Sequence, residues 1–145
     1  MEALTGKTVF LDTAPIIYHV EGKQAYAQDL TEMFAAIDEG TIQAQTSVLT
    51  LLEVLVLPLR MKQADLARQY EELISGSANL QVIPADKEIA KKAAELRAVY
   101  GFRTPDAIQV ASAISIGADV FLTNDAQLKR VTEIDVITLT AHPEA

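Results

Sequence analysis

Short unbroken apolar runs alternate along this chain with longer segments whose apolar residues recur at helical spacing. That pattern predicts a parallel sheet covered on both faces, because strands buried on both sides need not alternate apolar with polar residues. Thr8-Val9-Phe10-Leu11, Thr41 to Thr46, Leu80-Gln81-Val82-Ile83, Asp119-Val120-Phe121-Leu122 and Val136-Ile137-Thr138-Leu139 read as strands. Helices are expected from Ala14 through Tyr18, over Gln24 to Glu39, from Val48 to Leu57, over Lys62 to Ile74, from Asp86 to Val99, and from Thr104 to Ile116. Leu30, Met33, Phe34 and Ile37 mark the inner face of the second of these, and Ile89, Ala90, Ala93, Ala94 and Leu96 that of the fifth. Gly40, Gly101 and Gly117 stand where helices should end, and Pro58 is expected to stop the third helix. The fold class that follows is α/β: a three-layer α/β/α sandwich with a central parallel sheet, one domain over residues 1–145.

The stretch TPDAIQVASAISIGADVFLTND, Thr104 to Asp125, carries a whole helix, a turn and a buried strand, with an aspartate near each end. Thr104 reads as the N-cap and Pro105 as the first helical residue. Asp106 then falls in the first turn, where free N–H groups favour negative charge. Asp125 follows the strand at its carboxyl end, where open α/β sheets bind their ligands. Asp12 occupies the equivalent place after the first strand, at a strand-to-helix corner. Taken alone it is adequately explained as a helix cap worth about 1 kcal/mol. Ser47 reads as the N-cap of a helix rich in Leu and Val, and Glu53 sits within that helix. A carboxylate buried there needs a cationic partner, a proton or a metal ion.

Composition narrows the chemistry. The chain has 145 residues, half of them hydrophobic, and no cysteine, so it has no thiolate nucleophile, no disulfide and no Cys-ligated zinc. No apolar run approaches twenty residues and MEALTGK lacks the basic start of a secretory signal, so a cytoplasmic protein without a membrane segment is expected. A net charge of −8 argues against gripping nucleic acid by overall charge alone. His19 and His142 lie far apart without a surrounding motif, and a packed or surface role suits both. No G-x-S-x-G elbow supports Ser-His-Asp chemistry.

Right-handed crossovers bring the carboxyl ends of parallel strands to one sheet edge, so Asp12 and Asp125 can converge, with Glu53 and Asp106 on helices that begin there. Four converging carboxylates repel and raise one another's pKa unless protons or cations are shared. Oxygen ligands without His or Cys select hard ions, Mg²⁺ or Mn²⁺. Such an ion can activate water against a phosphodiester.

VFLDT at Val9 to Thr13, Glu53 in SVLTLLEVL, TPDAIQVASA at Thr104 to Ala113 and VFLTND at Val120 to Asp125 resemble the four acidic motifs of the PIN domain, in particular of the VapC-type toxin ribonucleases. The resemblance spans about Val9 to Leu139. It implies a Mg²⁺- or Mn²⁺-dependent endoribonuclease acting on RNA, commonly a homodimer, neutralised by a small antitoxin protein. It also implies that Asp12, Glu53, Asp106 and Asp125 carry the catalytic metal site, with Thr123 supporting the last acid and Thr13 beside the first. Arg103, Lys129 and Arg130 are candidates to meet phosphates, or else partners for nearby acids.

Two other readings compete. Leu11-Asp12-Thr13 suggests an aspartyl-phosphate phosphatase, but Ala14 stands where that chemistry needs a second acid. A non-catalytic PIN-like module could instead bind a basic peptide or a protein partner in an acidic groove.

Overall fold

A computed structural model describes residues 2–143; Met1, Glu144 and Ala145, which belong to the expected 1–145 domain, and the side chain of Glu2 lie outside the described residues. The strands are β1 (Thr8–Leu11), β2 (Gln43–Ser47), β3 (Leu80–Ile83), β4 (Val120–Thr123) and β5 (Asp135–Thr138), all parallel, in the order β3-β2-β1-β4-β5. The helices are α1 (Thr13–Val20), α2 (Ala27–Glu39), α3 (Val48–Arg60), α4 (Ala64–Gly76), α5 (Lys87–Tyr100) and α6 (Thr104–Ile116).

Successive strand residues point to opposite faces, which divides the core into two layers. Val9, Leu11, Ala44, Val120 and Leu122 pack with α1 to α4, around Ile16, Leu30, Met33, Val54 and Tyr70. Phe10, Ile83 and Phe121 face α5 and α6. The Phe10 and Phe121 rings stack at 5.5 Å where β1 and β4 run side by side. The three-layer α/β/α sandwich is therefore the architecture, and the strand order reverses between β1 and β4. The ladder continues past the end of β1, with Asp12 N–H donating to Leu122 O at 3.0 Å, so the residue after β1 is fixed beside β4.

Several boundaries differ from expectation. The Gln24 to Glu39 segment divides into a 3-10 turn at Gln24–Tyr26 followed by α2. Pro58 does not stop α3, which runs two residues further to Arg60. A proline in the last turn removes one backbone bond near an end that already leaves carbonyls unpaired, and Gln63 N–H closes onto Pro58 O at 2.8 Å. Arg103, not Thr104, is the extended residue before α6, so Thr104 and Pro105 are its first two helical residues. On α5, Ala90 and Ala94 face solvent while Ile89, Ala93 and Leu96 are buried.

The apolar helix α3 departs furthest from its reading. Only Thr50, Val54 and Pro58, spaced four apart, are fully buried. Leu52, Leu57 and Leu59 are 59%, 58% and 64% exposed, with Val48, Val56 and Met61 also open. Among the described residues no helix is long and apolar enough to cross a membrane.

Candidate active site

All four acids line one cleft of 430 Å³, with Thr13, Ala14, Ile17, Arg103, Gln109, Thr123 and Asn124 among its walls. It opens at the carboxyl ends of β1 and β4, where the strand order reverses and open α/β sheets bind ligands.

Asp12 is the N-cap of α1, and its Oδ1 accepts from Thr13 N–H at 2.9 Å and from Gln109 Nε2 at 3.3 Å. Its Oδ2 accepts from the Thr123 hydroxyl at 2.7 Å. Burial pushes the Asp12 carboxyl above the ordinary aspartate range; the Thr123 and Thr13 hydrogen bonds pull it down, and the charges of Asp106 and Glu53 push it further up. The two neighbouring acids are therefore felt at Asp12.

Asp106 stands in the first turn of α6, and its Oδ2 accepts from Arg103 Nε at 3.2 Å; the arginine side chain is 80% exposed and the aspartate 17%. Arg103 here serves as the partner of a nearby acid. Asp125 caps the 3-10 turn Ala126–Arg130, its Oδ1 accepting from Gln127 N–H at 2.9 Å. Lys129 and Arg130 are outside the cleft lining, and Arg130 lies over the Phe102 ring at 5.1 Å. His19 stacks on Phe34 and His142 contacts Asp29, both away from the cleft.

Glu53 reaches the cleft for a reason other than the one its sequence suggested. It is exposed, not buried in an apolar environment, and its Oε1 accepts from the Thr13 hydroxyl at 3.1 Å. The buried face of α3 is the Thr50-Val54-Pro58 line, and Glu53 stands beside it. Thr123 touches the last acid, as the resemblance implies, and the first one as well. Its hydroxyl donates to the first acid, Asp12, and accepts the backbone N–H of Asp125 at 3.1 Å. Thr123→Val keeps the shape and leaves both groups unpaired, so it should cost roughly 1–3 kcal/mol in metal-free denaturant unfolding.

Sequence reasoning missed Gln109. It is 1% exposed, a lone amide among Ala, Val and Ile on α6, one helical turn after Asp106. Its Nε2 lies 2.6 Å from Thr50 Oγ1, 3.2 Å from Thr13 Oγ1 and 3.3 Å from Asp12 Oδ1. The available signal was its polarity at a position whose neighbours are all apolar.

Among the described residues, no three His, Cys, Asp or Glu side chains close around a single ion. Asp106 is turned towards Arg103, and Asp125 towards its own cap. The donor set nonetheless fits a hard divalent cation that keeps several waters and takes only one or two carboxylates directly. Asp12 retains lone pairs beyond its three hydrogen bonds, and Glu53, Asp106 and Asp125 can reach such an ion through water.

The PIN domain family model matches residues 9–134. Among solved structures, the chain is similar to VapBC2 from Rickettsia felis, bound to a DNA fragment from its promoter, with a TM-score of 0.73 at 14% identity over 91% of this chain and 98% of that one. It is also similar to a toxin-antitoxin complex from Klebsiella pneumoniae, with a TM-score of 0.69 at 21% identity over 90% and 96% of the two chains. The third is VapC20 from Mycobacterium tuberculosis, described as a sarcin-ricin loop cleaving toxin, with a TM-score of 0.63 at 16% identity over 78% and 86%. A comparison with curated proteins found no match. A match over most of the length, together with the parallel sheet whose β1 and β4 ends frame an acidic cleft, makes this chain a member of the PIN domain family.

Proposed function

We propose that the cleft is the active site of a Mg²⁺- or Mn²⁺-dependent endoribonuclease, the toxin of a toxin-antitoxin pair. The observation that carries this reading is the convergence of Asp12, Glu53, Asp106 and Asp125, which are remote in sequence, on one cleft where the strand order reverses between β1 and β4. Mutually repelling carboxylates serve poorly as packing and well as a cation site.

Asp12, the acid held by three hydrogen bonds, is the direct ligand in this account, with Asp106, Asp125 and Glu53 completing the site directly or through water. When bound, the cation supplies positive charge that lowers the pKa of an attacking water and offsets charge on the phosphate oxygens. Arg103, which is 80% exposed on the cleft wall beside Asp106, is the residue placed to meet a phosphate. Local cations of this kind let a chain of net charge −8 hold RNA.

The toxin setting is supported by the structural neighbours, among them the toxin-antitoxin complex from Klebsiella pneumoniae and the sarcin-ricin loop cleaving toxin from Mycobacterium tuberculosis. A small antitoxin protein is thus the proposed partner. The exposed apolar residues of α3 supply the surface for a homodimer. Replacing Leu52 and Leu59 together by Asp should reduce the mass in light scattering from two chains to one, with the circular dichroism unchanged.

The function is tested by incubating the full chain with pooled RNA and Mn²⁺ or Mg²⁺. Internal cleavage that stops on adding EDTA is expected. Intact RNA together with saturable Mn²⁺ binding would overturn the nuclease reading, and no measurable Mn²⁺ binding at neutral pH would favour an acidic groove that binds a basic peptide.

A further inference from the structure

The acids of the cleft come from the starts of α1 and α6, the second turn of α3 and the segment after β4, and their mutual repulsion works against any fixed spacing. A buried side chain that bonds to several of these elements at once would supply the constraint. Gln109 is so placed. It rises from α6 one turn after Asp106 and touches the first residues of α1 and the first turn of α3.

The orientation of its amide follows from Ser47. The Ser47 Oγ already accepts the N–H groups of Leu49 and Thr50 at 3.1 and 3.4 Å as the cap of α3, so its own proton goes to Gln109 Oε1. The amide nitrogen must therefore face the acids. Its two protons serve Thr50 Oγ1, Thr13 Oγ1 and Asp12 Oδ1. The direction continues outward. Thr13 gives its hydroxyl proton to Glu53 Oε1 at 3.1 Å, so in the 3.2 Å Thr13–Thr50 contact Thr50 is the donor. The result is a one-way chain from Ser47 through Gln109, Thr50 and Thr13 to Glu53, with a branch to Asp12. The reversed amide would set its oxygen against the Asp12 carboxylate.

We propose that Gln109 is a positioning residue whose amide, oriented by Ser47, holds Asp12 and Glu53 at the spacing a hydrated divalent cation requires. This rests on the metal-dependent reading of the cleft. Groups that orient ligands from behind typically change metal affinity 10–100-fold when removed, an order of magnitude that is the expectation here.

Three variants of the full chain test it. Gln109→Leu removes the amide; Gln109→Glu is isosteric and keeps an acceptor for Ser47, but turns an oxygen on Asp12. Thr50→Val removes one hydroxyl and keeps its shape. Free Mn²⁺ is measured by electron paramagnetic resonance, the fold by circular dichroism and melting, and RNA cleavage at saturating Mn²⁺. The Mn²⁺ Kd should weaken roughly 10–100-fold in both Gln109 variants, and less but in the same direction in Thr50→Val. At saturating Mn²⁺, kcat should fall while KM for RNA stays unchanged, a split that general loosening of the fold would not give. Should a Gln109 variant fail to fold, Thr50→Val carries the same readout. A folded Gln109→Glu with the wild-type Kd overturns the proposal, as does wild-type protein that binds no Mn²⁺. Variants that show these Kd shifts while the wild-type protein cuts no RNA support the positioning role and overturn the nuclease reading instead.

Discussion

Asp12→Asn should abolish RNA cleavage, lowering kcat by about 10³-fold or more, and should at the same time make the metal-free protein more stable. The first effect follows from removing the direct ligand and the several kcal/mol of charge stabilisation it brings to the reaction. The second follows from the electrostatics of the cleft. Folding buries the Asp12 carboxyl beside Asp106 and Glu53 and raises its pKa above the ordinary 3.8. A group raised in this way contributes stability that is full below the unfolded pKa and is lost as pH climbs through the folded value. Metal-free wild type should therefore fall in melting temperature, relative to Asp12→Asn, as pH rises from below 4 towards neutrality. The asparagine oxygen still accepts from Thr13 N–H and Gln109, while its amide faces Thr123 Oγ1, whose own proton loses the Asp12 acceptor; that loss between neutral groups costs less than burying a charged carboxyl beside two other acids. Melting curves across that pH range check the sign, and single-turnover cleavage checks the loss. An asparagine variant as active as wild type, or less stable than it at neutral pH without metal, contradicts the prediction.

Mn²⁺ should act on stability in the same direction as that substitution, and for the same reason. A cation bound only by the folded chain relieves the repulsion among the acids and stabilises by mass action, by about 2.7 kcal/mol at a hundred times its Kd. For a domain of this size that raises the melting temperature on the order of 5 to 10 °C. EDTA should reverse the shift, and Asp12→Asn should abolish most of it. Differential scanning calorimetry with and without Mn²⁺ measures it. A melting temperature indifferent to millimolar Mn²⁺ goes against a cation site in the cleft.

The fold and the acids were legible to different depths. Asp12 and Asp125 stand out because each ends a short apolar strand, and the β-branched and aromatic runs before them leave little choice of element. Their meeting follows from right-handed crossovers and the order β3-β2-β1-β4-β5. The sequence singles out Glu53 on a premise that the structure removes. Apolar residues lie on nearly every side of α3, and composition alone cannot say which of them a neighbour covers; the answer is the Thr50-Val54-Pro58 line, leaving Leu52, Leu57 and Leu59 in solvent. The hydrogen bonds that organise the site were out of reach for a simpler reason. Gln109 and Thr50 are 59 residues apart, and Thr123 and Asp12 are 111 apart, so no local period connects them. Pro58 placed the end of α3 at Leu57, three residues early, because a proline withdraws a single N–H and keeps its carbonyl, so the chain beyond it still closes a turn, with Gln63 N–H on Pro58 O.

The most direct measurement is an anomalous difference map from crystals of the full chain grown or soaked in Mn²⁺ at neutral pH. A peak in the cleft with an Asp12 carboxylate oxygen at roughly 2.1 Å is the predicted result, with Asp106, Asp125 and Glu53 around it directly or through water. A well-occupied Mn²⁺ elsewhere on the molecule and none beside Asp12 would contradict the account.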